Sequence, residues 1–125
     1  MDEKPSILIL DDEEPVRLSI AFHFEDCGFA VRQAGTGEEA LEEMELEIPS
    51  VVLVDLRLPG MDGLEFLRKA SAKWPGVKYV IYTGSQASEI PEELMAIPGV
   101  HGKIFSKPVW NMSELSDEIS KLLQD

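Results

Sequence analysis

Two runs in this chain, Ile7-Leu8-Ile9-Leu10 and Val51-Val52-Leu53-Val54, are apolar at every position, and each leads directly into aspartate. A strand with one face in water alternates polar and apolar residues, whereas a strand covered on both faces does not. Uninterrupted Val, Leu and Ile therefore point to a parallel sheet with helices packed on both sides. The acids that follow, Asp11 and Asp12 after the first run and Asp55 after the second, lie where covered strands would emerge into solvent.

Parallel neighbours need crossover connections, so amphipathic helices should separate the strands. Glu14 or Pro15 to about Asp26 reads as the first helix: proline suits its first turn, Gly28 ends it, and Leu18, Ala21, Phe22 and Cys27 can share an apolar face. Phe29 to Gln33 reads as a second strand. Thr36 can cap a helix through about Leu46 with Ala40, Leu41 and Met44 as its apolar stripe. Gly63 to Ala72 carries Leu64, Phe66 and Leu67 at helical spacing, and Val77 to Tyr82 gives a fourth strand that stops at Thr83-Gly84-Ser85. A short helix is expected over Ser88 to Ala96 with Pro91 in its first turn, then a fifth strand around Val100 to Phe105. Asn111 to Leu123 closes the chain as a helix capped by Asn111 or Ser113 and buried through Leu115, Ile119, Leu122 and Leu123.

Alternating strands and helices over 125 residues define one α/β domain, residues 1–125. The expected fold class is a flavodoxin-like, doubly wound (βα)5 domain, with a five-stranded parallel sheet of order 2-1-3-4-5 and helices on both faces. In such sheets ligands bind beyond the carboxyl ends of the strands, where the strand order reverses, here between the first and third strands.

Charge and cysteine usage narrow the setting. The 24 Asp and Glu against 11 Lys and Arg give −13, a surface that repels phosphate backbones and anionic lipid, so direct nucleic-acid or membrane binding is not expected. The single cysteine, Cys27, allows no intrachain disulfide, and no apolar run is long enough to span a bilayer. Met1-Asp2-Glu3-Lys4 lacks a signal-peptide pattern, and a cytoplasmic location is expected.

At the strand ends stand Asp11, Asp12, Asp55, Thr83 and Lys107. At an effective dielectric of about 20, two carboxylates about 5 Å apart repel by about 3 kcal/mol, so this cluster calls for a cation. Hard oxygen donors suit Mg²⁺, which is typically held by one or two carboxylates plus a phosphoryl oxygen. A carboxylate can also act as a nucleophile toward phosphorus, with an ammonium stabilising the charge that develops on the phosphoryl oxygens; Asp55 and Lys107 suit these two roles.

Four segments carry a more specific signal. Ile7-Leu8-Ile9-Leu10-Asp11-Asp12-Glu13-Glu14, Val54-Asp55-Leu56-Arg57-Leu58-Pro59-Gly60-Met61-Asp62-Gly63, Tyr82-Thr83-Gly84 and Phe105-Ser106-Lys107-Pro108 resemble the receiver domain of two-component response regulators, over essentially the whole chain. The resemblance implies that Asp55 is the phosphoacceptor and that Mg²⁺ is held directly by Asp12 and Asp55, through water by Asp11, and by the backbone carbonyl of Arg57. It makes Thr83 the switch hydroxyl and Lys107 the partner of the phosphoryl group, ahead of a cis Lys107-Pro108 bond. Arg57 and Ser85 fall at positions that tune phosphoryl lifetime. The implied partners are a sensor histidine kinase or phosphotransfer protein and a downstream effector, and a phosphorylation-dependent dimer is compatible with it. No organic cofactor is implied. Such a domain is not an enzyme on an external substrate; it catalyses only its own aspartyl phosphorylation and dephosphorylation, and it alters the surface from the fourth strand to the last helix.

One position departs from the family pattern. Receivers commonly carry Tyr or Phe three residues before the strand-five lysine, and here that residue is Ile104, while the neighbouring Phe105 should face the other side of the sheet. This departure motivates the competing reading, a phosphorylation-independent pseudo-receiver that acts by docking. An aspartyl phosphatase, which usually carries a second Asp two residues beyond its nucleophile, meets Arg57 there instead. A flavin-binding reading fails because the first strand leads into acids and not into a phosphate cradle. His23, on the first helix, and His101, near the fifth strand, are expected at the surface without a role, Trp74 and Trp110 at helix ends, and the methionines as core fillers.

Overall fold

The computed structural model describes residues 4–84, 90–107 and 111–124. Five parallel strands, β1 (Ser6–Leu10), β2 (Ala30–Ala34), β3 (Val51–Asp55), β4 (Lys78–Thr83) and β5 (Phe105–Ser106), form one sheet of order β2-β1-β3-β4-β5. Helices α1 (Glu14–Asp26), α2 (Gly37–Leu46), α3 (Gly63–Lys73) and α4 (Met112–Gln124) connect and cover them. The doubly wound α/β class and strand order expected from the sequence are those observed. Among the described residues, no helix is long and apolar enough to cross a membrane.

The unbroken apolar runs divide between two cores. On one face Leu8, Leu10, Val52, Val54, Tyr79 and Ile81 pack against α2 and α3; on the other Ile7, Ile9, Val51, Leu53, Val80 and Tyr82 pack against α1 and α4. Each residue of β3 is buried, as a central strand requires. Fully buried aliphatic side chains contribute about 1.5–3 kcal/mol each, so these strands are a large share of the stabilising burial.

Helix starts follow local chemistry. Thr36 Oγ1 accepts the Glu39 N–H at 3.0 Å while Glu39 Oε1 accepts from Gly35 N–H, a reciprocal cap on α2. Asp62 Oδ1 accepts from Glu65 N–H at 2.9 Å to start α3, and Asn111, not Ser113, caps α4 through Glu114 N–H at 3.0 Å.

Three expectations need correction. On α1 the buried residues are Ile20, Ala21 and Phe24, whereas Phe22 is 62% exposed and Cys27 is exposed. The helix carries two apolar stripes of i, i+4 spacing on nearly opposite sides, Val16-Ile20-Phe24 and Leu18-Phe22, and packing selects the first. The fourth helix, expected over Ser88 to Ala96, is a single 3-10 segment, Glu92–Ala96, within the described residues. Pro91 and Pro98 leave fewer than two turns between them, too little for a cooperative α-helix. The fifth strand, expected over Val100 to Phe105, is reduced to a bridge between Val100 and Tyr79 and the two residues of β5. Gly99, at φ 86°, lies so close to the Val77 carbonyl and Tyr79 ring that a side chain cannot fit. The chain then leaves the ladder across Gly102 and the exposed Lys103 before rejoining it. Ser85, the first residues of the expected fourth helix, Pro108 and the cis bond expected before it, and Trp110 lie outside the described residues.

Gly63 holds the start of α3 directly behind the end of β3. A Cβ there would lie 2.6 Å from the Asp55 carbonyl oxygen and 2.6 Å from Leu56 Cα. Gly63→Ala is expected to lower stability by about 1–3 kcal/mol, measured by urea unfolding, because backbone and not a flexible side chain must move.

Candidate functional site

The switch in winding between β1 and β3 leaves a crevice at the carboxyl ends of the strands. Asp11 follows β1, Asp55 and Thr83 close β3 and β4, and Lys107 follows β5. Asp11 is fully buried, Asp55 and Thr83 are 2% exposed, and Asp12 faces solvent. One carboxylate oxygen from each of Asp11, Asp12 and Asp55 lies within 4.8 Å of the other two. An open groove of about 800 Å³ extends from this cluster along Pro15, Val16 and Ser19 of α1 to Met112.

Lys107 ties the crevice together. Its Nζ lies 3.0 Å from Asp55 Oδ2, 3.3 Å from Asp11 Oδ2 and 2.7 Å from Glu13 Oε1, with the side chain 13% exposed. Burial works against its charge, but hydrogen bonds to Glu13 and Asp55 and the surrounding carboxylates prevail, so its pKa lies above the ordinary lysine range. Its backbone N–H donates to the Thr83 carbonyl at 2.9 Å, which joins β5 to the end of β4.

Each acid meets different surroundings. Asp55 Oδ1 accepts the Arg57 N–H at 3.1 Å. Its carboxyl is pushed up to about 6, chiefly by burial and also by the charge of Asp11, against the lowering effect of Lys107 and the Arg57 amide. Asp11 Oδ1 accepts the Glu13 N–H at 2.9 Å, and its Oδ2 accepts the Tyr82 hydroxyl beside Lys107. The Asp11 carbonyl accepts from Arg17 Nη1 at 2.8 Å. Asp12 forms no hydrogen bond or ion pair among the described residues. All donors in the cluster are hard oxygens, with neither thiolate nor imidazole, a set that fits Mg²⁺ in type and number.

The expected site residues thus lie at one end of the sheet: Asp11, Asp12, Asp55 and Lys107 in direct proximity, Thr83 at the same end of the neighbouring strand, and Arg57 with its backbone N–H, not the carbonyl expected to bind metal, on Asp55. Two contributors were missed by sequence reasoning, Glu13 and Tyr82. The signal for Tyr82 was its place in a strand covered on both faces, because a buried phenol needs a partner for its hydroxyl. Burial and the bond to Asp11 push that phenol above the ordinary tyrosine range. Ile104 packs on the α2–α3 side and Phe105 on the α1–α4 side, as strand alternation requires. The histidines, expected at the surface, are half-buried against α4: His23 Nε2 lies 2.9 Å from Ser116 Oγ, and His101 Nε2 lies 2.9 Å from Glu118 Oε2. The His101 contact holds the Glu118 carboxyl below the usual range.

A doubly wound α/β domain with an acid cluster and a lysine at its switch point defines a class of signalling domain. The response regulator receiver domain family matches residues 7–120, and the chain belongs to that family. It is 31% identical over 123 residues to the sporulation initiation phosphotransferase F of Bacillus subtilis (strain 168), a match covering 98% of this chain and 95% of that protein. It is 32% identical over 108 residues to the C4-dicarboxylate transport transcriptional regulatory protein DctD of Rhizobium meliloti (strain 1021), covering 86% of this chain and only 23% of that longer protein. The solved structure of a CheY-like response regulator receiver domain protein from Methanospirillum hungatei JF-1 superimposes with a TM-score of 0.86 at 32% identity, covering 98% and 95% of the two chains. Receiver domains of two-component response regulators are signalling domains and not conventional enzymes.

The raised pKa of Asp55 has a stability consequence. The folded value near 6 exceeds the ordinary 3.8, so between these values the folded protein binds more protons than the unfolded chain. Stability therefore falls as pH rises through this window, and above it the ionised Asp55 costs about 1–3 kcal/mol. In chelator, Asp55→Asn is expected to be more stable than wild type at pH 7.5, with the difference vanishing as pH falls toward 4, measured by urea unfolding across pH.

Proposed function

We propose that the chain is a cytoplasmic phosphorylation switch that accepts a phosphoryl group on Asp55 from a phosphohistidine of a sensor histidine kinase or phosphotransfer protein. The observation that carries this reading is the simultaneous contact of Lys107 Nζ with Asp55 and Asp11 at the switch point. An ammonium beside a buried carboxylate keeps a nucleophile ionised at neutral pH and supplies positive charge for the incoming phosphoryl oxygens. In the transfer a P–O bond to an Asp55 oxygen forms as the donor's P–N bond breaks, and the imidazole keeps the electron pair. Lys107 then pairs with the phosphoryl group, the Thr83 hydroxyl turns toward it, and the surface from β4 to α4 changes for a downstream effector or a second copy of the chain. Residues 1–125 act as one receiver module that catalyses only its own phosphorylation and dephosphorylation, and Arg57 and Ser85 set the lifetime.

Mg²⁺ would be held by Asp12 and Asp55, by Asp11 through water, and by the Arg57 carbonyl. When bound, the ion neutralises charge on the phosphoryl oxygens. The Asp11 carboxylate already accepts two hydrogen bonds and pairs with Lys107, while Asp12 is exposed and has no partner among the described residues, which supports the division into indirect and direct ligands. The pseudo-receiver alternative, motivated by Ile104, is disfavoured by the intact cluster of acids and lysine.

With Mg²⁺ and acetyl phosphate, wild type is expected to gain one phosphoryl group by intact mass and Asp55→Asn none; equal modification of both sinks the acceptor assignment. Asp12→Asn is expected to weaken Mg²⁺ binding by at least about tenfold in a calorimetric titration.

A further inference from the structure

Tyr82 is wholly buried near the end of β4, paired in register with Asp55 of β3. Its ring belongs to the core between the sheet and helices α1 and α4, beside Phe105 and Leu115. Phenylalanine would fill the same space, so packing alone does not account for the hydroxyl. That hydroxyl donates to Asp11 Oδ2, and Lys107 Nζ stands 5.4 Å from the ring centre. Together with the Glu13 N–H on Oδ1, Tyr82 and Lys107 engage both oxygens of Asp11.

We propose that Tyr82 is a positioning residue for the cation cluster: its hydrogen bond commits Asp11 to protein donors, keeps that carboxylate out of direct coordination, and thereby favours Mg²⁺ over Ca²⁺. The inference rests on the reading of Asp11, Asp12 and Asp55 as a divalent-cation site. Its chemical basis is the different appetite of the two ions for protein oxygens. Mg²⁺ keeps several waters and uses one or two carboxylates, whereas Ca²⁺ takes six to eight oxygens in a flexible shell. An Asp11 oxygen released from Tyr82 therefore benefits Ca²⁺ more than Mg²⁺. Outer hydrogen-bond partners of this kind commonly govern metal affinity.

The test titrates Mg²⁺ alone and Ca²⁺ alone into the full chain by calorimetry. Tyr82→Phe is expected to lower the ratio of Ca²⁺ to Mg²⁺ dissociation constants by at least about fivefold. In an Asp11→Asn background the same substitution is expected to leave the ratio within about twofold, because the carboxylate through which Tyr82 acts has gone. An unchanged ratio in Tyr82→Phe, or an equal drop in the Asp11→Asn background, overturns the proposal. Failure of wild type to bind either ion overturns the cation-site reading itself, an outcome distinct from the first two. If Tyr82→Phe does not fold, judged by circular dichroism, replacing tyrosine by 3-fluorotyrosine keeps the test open. The only other tyrosine, Tyr79, donates to the Trp74 carbonyl at 3.1 Å and packs on the opposite face of the sheet. A more acidic phenol is a stronger donor and must move the ratio toward Mg²⁺; no movement overturns the proposal.

Discussion

The Lys107 ammonium, shared among Asp55, Asp11 and Glu13, is the contact on which the crevice depends. Asp11 and Asp55 are almost entirely withdrawn from water, and two buried carboxylates close together are tolerable only with compensating charge and hydrogen bonds. The lysine arrives on the slightest strand of the sheet, with only Phe105 and Ser106 in β5, and its own backbone N–H is held by the Thr83 carbonyl. The placement of the edge strand and the charge balance of the site are therefore one problem. Any change in what Lys107 pairs with bears on the ends of β4 and β5 together.

Much of the fold was legible in residue order because strands covered on both faces leave an unmistakable pattern, and Ile7 to Leu10 and Val51 to Val54 are such strands. Helix starts were legible for a similarly local reason, since Thr36 and Asn111 satisfy backbone N–H groups within three residues. The buried side of α1 was not. Its two apolar stripes are equally helical in spacing, and only contact with the sheet and α4 decides that Phe24 goes inside and Phe22 stays out. The region between β4 and β5 was overestimated because apolar residues there suggested regular elements, whereas Pro91, Pro98 and Gly99 interrupt them.

The site divides along the same line. Acids directly after covered strands, and a lysine in the matching place after β5, can be recognised by residue type and position, since every parallel strand ends on the same edge. Glu13 and Tyr82 escape that logic. Glu13 matters through a side chain that reaches across to a residue 94 positions away, and Tyr82 through a hydroxyl that crosses from β4 to the end of β1, two strands away. The same dependence on direction separates Ile104 from Phe105, whose side chains enter different cores although they are adjacent in sequence. The position usually occupied by an aromatic ring is aliphatic, and β4 supplies an aromatic residue whose hydroxyl bonds to Asp11.

By itself, then, the sequence determined the layered α/β architecture with a parallel sheet and the identity of the acids and lysine at the strand ends. These follow from apolar period, from capping and from the rule that parallel strands are wound in one sense. Tertiary structure alone decided which face of α1 is buried, how little of β5 pairs, and how the donors are shared among Asp11, Asp12 and Asp55. The physical reason is that a side chain's partner across a sheet depends on register and direction, which are set by the packing of the whole domain and not by the neighbouring residues.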